Sequence, residues 1–147
     1  MGDVRFSKRL ICLFCVLLFW ASLAVYYVLN LPKAKQRQNT IDKELRLIPD
    51  PKSSSTINFD SGFKSSNGYV NRIVLTELEP NQVEAYYRDK LEEQGWFFRK
   101  KEVRLSRTRV IFCGNDETAV LDLPEVVTDK RYRYSLQIIW GIDYGCR

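Results

Sequence analysis

Residues 10–29 read LICLFCVLLFWASLAVYYVL, and this stretch decides which architecture we expect of the chain. It carries no charge, and at about 1.5 Å per residue a helix of this length matches the roughly 30 Å hydrocarbon core of a bilayer. Tyr26 and Tyr27 fall near its end, where aromatic side chains favour the interface. A buried helix of a soluble protein is the alternative, but so long a charge-free run is typical of a membrane span. We therefore predict a transmembrane helix over residues 10–30, after a short basic tail over residues 1–9.

A cleavable signal peptide has many of the same features. Arg5, Lys8 and Arg9 form a positive N-terminal region, and the sequence Ser-Leu-Ala at 22–24 offers small residues before a cut. The apolar run continues past that point to Leu29, so cleavage would leave an apolar, aromatic N-terminus. We favour an uncleaved anchor.

Two observations on orientation oppose each other. The C-terminal flank is slightly more basic than the N-terminal one, which by itself would keep the domain in the cytoplasm. The order of basic start, apolar stretch and small residues instead resembles a signal sequence and favours export. We expect a cytoplasmic N-terminus and an extracytoplasmic C-terminal domain. The basic residues that follow the span are Lys33, Lys35, Arg37, Lys43 and Arg46.

Beyond the span we expect a linker and one small domain. Residues 31–68 contain three prolines and two serine-rich stretches, which predict a linker that is partly ordered. Residues 69–147 form the remaining domain of about 80 residues, enough to bury a modest core.

Hydrophobic periodicity predicts the elements of this domain. Residues 69–76 read as a strand with Ile73 and Leu75 on one face. A helix begins at Pro80 and stops at Gly95. Four strand candidates follow, at 96–103, 105–113, 118–123 and 132–140. The predicted class is α+β: an antiparallel sheet with one helix packed on one face, ferredoxin-like or a similar β-α-β-β-β arrangement.

Three segments carry a resemblance to a known type of domain. They are LIPDP at 47–51, VLT at 74–76 and VEAYYRDKLEEQGW at 83–96. Together they resemble a small module of bacterial envelope proteins and lipoproteins, in which a helix ending in Gly-Trp precedes a strand meander. The similarity spans about half the chain, which lacks the lipid-attachment cysteine that many such proteins carry. The resemblance implies this fold and an extracytoplasmic location, and it implies no enzymatic activity.

The residue inventory argues against catalysis. The chain has no histidine, which excludes imidazole-based nucleophile activation and every histidine-containing metal site. The glycines are scattered and form no phosphate-binding loop. Neighbouring carboxylates at 92–93 and 116–117 are typical of a solvated helix face and a hairpin turn. We expect no enzyme, no catalytic, cofactor-binding or metal-binding residue, no cofactor and no small-molecule substrate.

The four cysteines form two pairs. Cys12 and Cys15 lie in the apolar segment and are expected to act as small hydrophobes. Cys113 and Cys146 are the domain's cysteines, and in an oxidising compartment they would bridge and tie down the C-terminus. In a reducing cytosol they would remain two thiols. We favour the disulfide.

Positive charge is the remaining feature of the domain. Six basic residues within eleven positions would attract phosphate-bearing or other anionic surfaces. A solvated edge hairpin is the alternative, because lysine and arginine discourage aggregation there. We expect no nucleic-acid partner, since the aromatic pattern of an RNA-recognition sheet is missing. The six are Arg99, Lys100, Lys101, Arg104, Arg107 and Arg109.

These observations together predict a membrane-anchored accessory protein. Its domain would bind an envelope protein or an anionic surface and would not be catalytic. The alternative is a structural small subunit of a membrane complex, assembled through the transmembrane helix.

Overall fold

The computed structural model of the chain describes residues 8–104, 107–124, 131–142 and 146. It confirms the predicted class, because one long apolar helix precedes an antiparallel sheet with a second helix packed on it. The elements in chain order are α1 (Lys8–Leu47), β1 (Ser54–Phe63), β2 (Gly68–Thr76), α2 (Pro80–Glu93), β3 (Phe97–Arg104), β4 (Arg107–Cys113), β5 (Glu117–Pro124) and β6 (Tyr132–Trp140).

The six strands form one antiparallel sheet in the order β1-β2-β6-β5-β4-β3. The last strand, β6, therefore lies in the middle, between β2 and β5. A tight turn joins β4 to β5, where the Gly114 amide donates to the Glu117 carbonyl at 3.0 Å and Asp116 has a φ of 60°. The turn makes neighbours of the strands that were predicted at 105–113 and 118–123.

Helix α2 forms for the reasons that its sequence suggests. Pro80 occupies the first turn, where its missing N–H is not needed, and Gly95 follows the last turn with a φ of 85°. Val83, Tyr87 and Leu91 are buried against the sheet. These three residues recur at a spacing of four, so they form the single face that the helix buries.

Helix α1 extends well beyond the predicted span, into the region where a linker was expected. A stripe at a spacing of three or four residues explains the extension. It is buried against the sheet, and its burial offsets the helical hydrogen bond that Pro32 cannot make. The stripe consists of Ala34, Gln38, Ile41 and Leu45, followed by Ile48.

Strand β1 is the second element in the expected linker. It pairs with β2 from Ser54 opposite Thr76 to Phe63 opposite Gly68. Phe59 packs against the core from this edge strand. The sheet consequently has six strands, one more than the five predicted.

The core lies between one face of the sheet and the two helices. On β2 the core side carries Val70 and Val74, while Ile73 and Leu75 are half-buried on the opposite, helix-free face. We call this opposite side the open face.

The sheet has two ends, defined by their distance from the apolar segment. At the near end, where β2 starts and β6 stops, the Gln38 amide donates to the Tyr69 carbonyl at 2.7 Å. At the far end, Thr76 of β2 lies opposite Tyr132 of β6. Arg107 of β4 lies there too, opposite Pro124 on one neighbouring strand and opposite Arg104 on the other. Since α1 runs along this direction, the near end adjoins the apolar segment and the far end points away from it.

Candidate functional site

The first candidate functional feature is the apolar half of α1, residues 10–31. Within the described part of the chain, α1 is the one helix long and apolar enough to cross a membrane, with a mean hydropathy of 2.3 over an 18-residue window; a signal sequence has the same properties. Its large side chains are exposed on all sides, for example Leu18 at 54%, Trp20 at 64% and Val28 at 72%. A surface this apolar suits lipid or other apolar helices.

The apolar half passes directly into the packed half, residues 34–47. Leu31 is still exposed, whereas Ala34 is only 4% exposed. At 1.5 Å per residue, Ala34 lies about 7.5 Å beyond Leu29, which ends the uncharged run. The domain is therefore attached to the apolar half by continuous helix.

Polar contacts fix this junction to the near end of the sheet. Gln38 accepts a hydrogen bond from the Trp140 indole N–H at 3.1 Å, in addition to its bond to Tyr69. The Arg37 guanidinium lies 3.5 Å from the Glu117 carboxylate and 5.6 Å from the centre of the Trp140 ring. The orientation of the domain on the helix is thus set by several bonds at once.

A buried polar cluster fixes the other end of the packed half. The Arg72 guanidinium donates to the Ile48 carbonyl at 2.7 Å and to the Tyr87 hydroxyl at 3.3 Å. Its Nε lies 3.3 Å from Asp50 Oδ1, near enough for an ion pair but not aligned as a hydrogen bond. The Tyr87 hydroxyl donates to the same Asp50 oxygen at 3.1 Å and lies 3.0 Å from the Tyr134 hydroxyl.

Sequence reasoning missed this cluster, because its members are scattered over the chain. Burial raises the pKa of Tyr134 to about 12, and burial also raises the pKa of Tyr87. Both hydroxyls therefore stay protonated at neutral pH. The signal that could have found the cluster is one arginine inside an otherwise apolar strand, since a buried charge requires partners.

The structure joins Cys113 and Cys146 in a disulfide whose Cα atoms are 5.5 Å apart. The bridge ties the segment after β6 to the end of β4, at the near end of the sheet. This agrees with the disulfide that the sequence favoured. Cys12 and Cys15 are free and exposed on the apolar half of α1.

The six predicted basic residues do not form one uniformly positive surface. Lys101 pairs with Glu84 of α2 at 2.6 Å, on the helix side of the sheet. Lys100 and Arg104 both pair with Glu102, at 2.7 and 2.9 Å. These ion pairs neutralise much of the hairpin's charge.

Two basic residues of β4 illustrate the difference between paired and unpaired charge. Arg109 is held by Asp122 through bonds of 2.8 and 3.2 Å. Arg107 has no ion-pair partner among the residues that the structure describes. Arg99 is exposed on β3 and also makes an interaction. The unpaired charge of β4 therefore lies at Arg107, at the far end.

The described residues contain no group of three or more histidine, cysteine, aspartate or glutamate side chains placed to hold a metal ion. No family model, no curated protein and no solved structure matches this chain.

Proposed function

We propose that this chain is a single-pass, membrane-anchored accessory protein whose α+β domain lies outside the cytoplasm and binds a negatively charged envelope partner. The observation that carries the proposal is the division of α1. Its apolar half is exposed on all sides, while its packed half belongs to the domain core. A helix of this kind places a folded domain directly on a membrane surface.

The geometry also favours a partner other than the headgroups of the same bilayer. The headgroup layer adds about 5 to 8 Å on each side of the hydrocarbon core, so the near end would rest at headgroup depth. Strand β2 has nine residues, so the far end of the sheet lies about 26 Å farther from the membrane than the near end. Arg107 lies at that far end and would face away from the anchoring membrane.

The disulfide supports the compartment. Cys113 and Cys146 are bonded, and such bridges persist in oxidising compartments rather than in the cytosol. The resemblance to envelope modules points the same way. The proposed topology has a cytoplasmic N-terminus and an extracytoplasmic domain.

The non-catalytic part of the proposal rests on the chemistry of the buried groups. The chain has no histidine. Its two buried tyrosine hydroxyls are held protonated: that of Tyr87 is engaged with Asp50 and Arg72, and that of Tyr134 lies 3.0 Å from the Tyr87 hydroxyl. These groups stabilise the junction of α1 with the sheet, which is a structural task.

Labelling with a membrane-impermeant thiol reagent tests the topology in intact cells. The Cys12→Ser and Cys15→Ser changes are made first, so that the domain cysteines alone report. We expect labelling of Cys113 and Cys146 only after reduction. Labelling that needs cell lysis but no reductant would place the domain in the cytoplasm and contradict the proposal.

Extraction of membranes at alkaline pH tests the anchor. We expect the chain to stay in the membrane pellet with the mass of the complete sequence. A soluble form shortened at Ala24 would show that the segment is a cleaved signal.

The structural-subunit alternative is favoured by one observation, the exposure of the apolar half on every side, since this also suits packing against other helices. Replacing residues 10–29 by an unrelated apolar helix of equal length separates the two. An accessory protein that binds through its domain keeps its assembly size in native electrophoresis. A subunit assembled through the helix loses it.

A further inference from the structure

A depression on the open face, at the far end of the sheet, combines arginine side chains, a buried amide oxygen without a partner, and apolar surface. It has a volume of about 560 Å³, within the range of small-molecule sites. Its lining includes Asn71, Ile73, Arg107, Pro124, Arg133 and Ser135.

Two unpaired arginines flank the depression. Arg107 of β4 opposes Pro124 of β5. Asp122 opposes Ser135, and continuing that register places Arg133 of β6 beside Pro124. With strands about 4.8 Å apart, the two arginine Cα atoms are roughly 10 Å apart, so both guanidinium groups reach one ligand. Neither arginine has an ion-pair partner within the described ranges.

The carboxylate in the depression does not cancel this charge. Asp122 is engaged by Arg109 through both of its oxygens. Among the residues that the structure describes, the two arginines therefore leave a net positive charge at the depression. A carboxylate or phosphate placed between them would form charge-assisted hydrogen bonds, which are about twice as strong as neutral ones.

The floor carries a polar group without a partner. Asn71 Oδ1 is buried and accepts no hydrogen bond. Leaving such an atom unsatisfied costs about 1 to 3 kcal/mol, whichever way the amide is turned. A ligand hydroxyl would satisfy it. Ile73 and Pro124 add apolar surface to the lining of the depression, which suits the C–H groups of a sugar ring.

We infer that this depression binds an anionic sugar unit, that is, a saccharide that carries a phosphate or a carboxylate. Its anion lies between Arg107 and Arg133, and one of its hydroxyls donates to Asn71. The inference rests on the proposed binding function and names the chemistry of the partner: an acidic glycan or a sugar-phosphate polymer of the envelope.

Calorimetric titration of the full chain in phosphatidylcholine nanodiscs tests the inference. The probes are glucose 6-phosphate and glucuronate, which present the two anions, with glucose and inorganic phosphate as partial ligands. The variants are Arg107→Gln, Arg133→Gln and Asn71→Ala. Arg104→Gln is the matched control, because it removes the same charge from the residue opposite Arg107 but outside the depression.

We expect saturable binding of at least one anionic sugar, tighter than that of glucose or phosphate. Arg107→Gln and Arg133→Gln should each weaken it about tenfold or more, while Arg104→Gln leaves it nearly unchanged. Asn71→Ala should remove the advantage of the sugar over phosphate. Whichever of the two anionic sugars binds more tightly shows whether the site prefers a phosphate or a carboxylate.

Three results would overturn the inference: no saturable binding of either sugar, equal weakening by all three arginine variants, or phosphate binding as tightly as the sugars. The first result would mean that the depression is not a binding site. The second would mean that the arginines act only through their general positive charge, and the third that the depression holds an adventitious ion only. Each would leave the membrane anchor intact, because thiol labelling and alkaline extraction test the anchor independently.

Discussion

The two halves of α1 are built for different surroundings. In residues 10–31 nearly every side chain is apolar and exposed, so no face is distinguished from another. In residues 34–47 one stripe is buried, while mostly charged and polar side chains cover the rest. One continuous helix thus exposes apolar side chains on all sides in its first half and buries one side against the protein core in its second.

This difference assigns separate tasks to the two halves. The apolar half contributes nothing to the hydrophobic core of the domain, because none of its residues belongs to that core. The packed half contributes Ile41 and Leu45, both fully buried, and is fixed at its ends by Gln38 and by Ile48. Changes in one half should therefore affect attachment, and changes in the other should affect folding.

The largest expected effect breaks the packed half. Leu45→Ala should lower the free energy of unfolding by about 3 to 5 kcal/mol, because it leaves a cavity in the core. Leu18→Ala removes the same atoms from the exposed half and should change it by less than about 0.5 kcal/mol. Chemical denaturation of both variants in the same detergent measures the difference. Equal effects would mean that the two halves are not energetically separate.

A second effect concerns the polar anchor of the packed half. Asp50→Ala leaves the Arg72 guanidinium buried without its carboxylate and should cost about 3 kcal/mol. Asp42→Ala, which removes an exposed partner of Arg46, should cost less than about 1 kcal/mol. Thermal unfolding of the pair provides the test, and similar melting temperatures would show that the cluster does not hold the helix.

A third change sharpens the role of the apolar half. Leu18→Arg puts a charge near the middle of the span, at a cost of roughly 2.5 kcal/mol for membrane insertion. We expect part of the protein to move from the pellet to the supernatant after alkaline extraction, with an unchanged unfolding curve for the domain. If the domain is also destabilised, this half contributes to folding.

The same comparison shows what the sequence could predict. The apolar half is evident because twenty uncharged residues are incompatible with most other structures. The packed half was missed for two reasons: Pro32 suggests a break, and only a few apolar residues, such as Ile41 and Leu45, interrupt a polar stretch. Its helix is stabilised by the sheet, which the local pattern does not contain.

The strands and the charges follow the same rule. Strand β6 was predicted with its observed bounds because its alternation reflects its central place in the sheet. Strand β1 was missed because an edge strand needs little apolar alternation. The basic hairpin was visible as charge, but its neutralisation was not, because Glu84 and Asp122 reach it only in the folded chain.

The smallest expected effect lies at the boundary between the two halves, where Arg37 meets Glu117. Burial raises the pKa of Glu117, and Glu44 adds to the shift while Arg37 opposes it. A carboxyl group with a raised pKa holds its proton in the folded chain at a pH where the unfolded chain has lost it. Its contribution to stability therefore grows as the pH falls from neutral towards the ordinary glutamate range.

Glu117→Gln should remove this dependence. At neutral pH the variant should be slightly more stable than the wild type, by less than about 1 kcal/mol, because it lacks the partly buried charge. The difference should shrink as the pH is lowered, since the wild-type carboxyl then takes up its proton. Thermal unfolding of both proteins over this range decides the matter. A variant that is less stable at neutral pH would show that the Arg37 pair outweighs burial, and that the junction is held by charge as well as by packing.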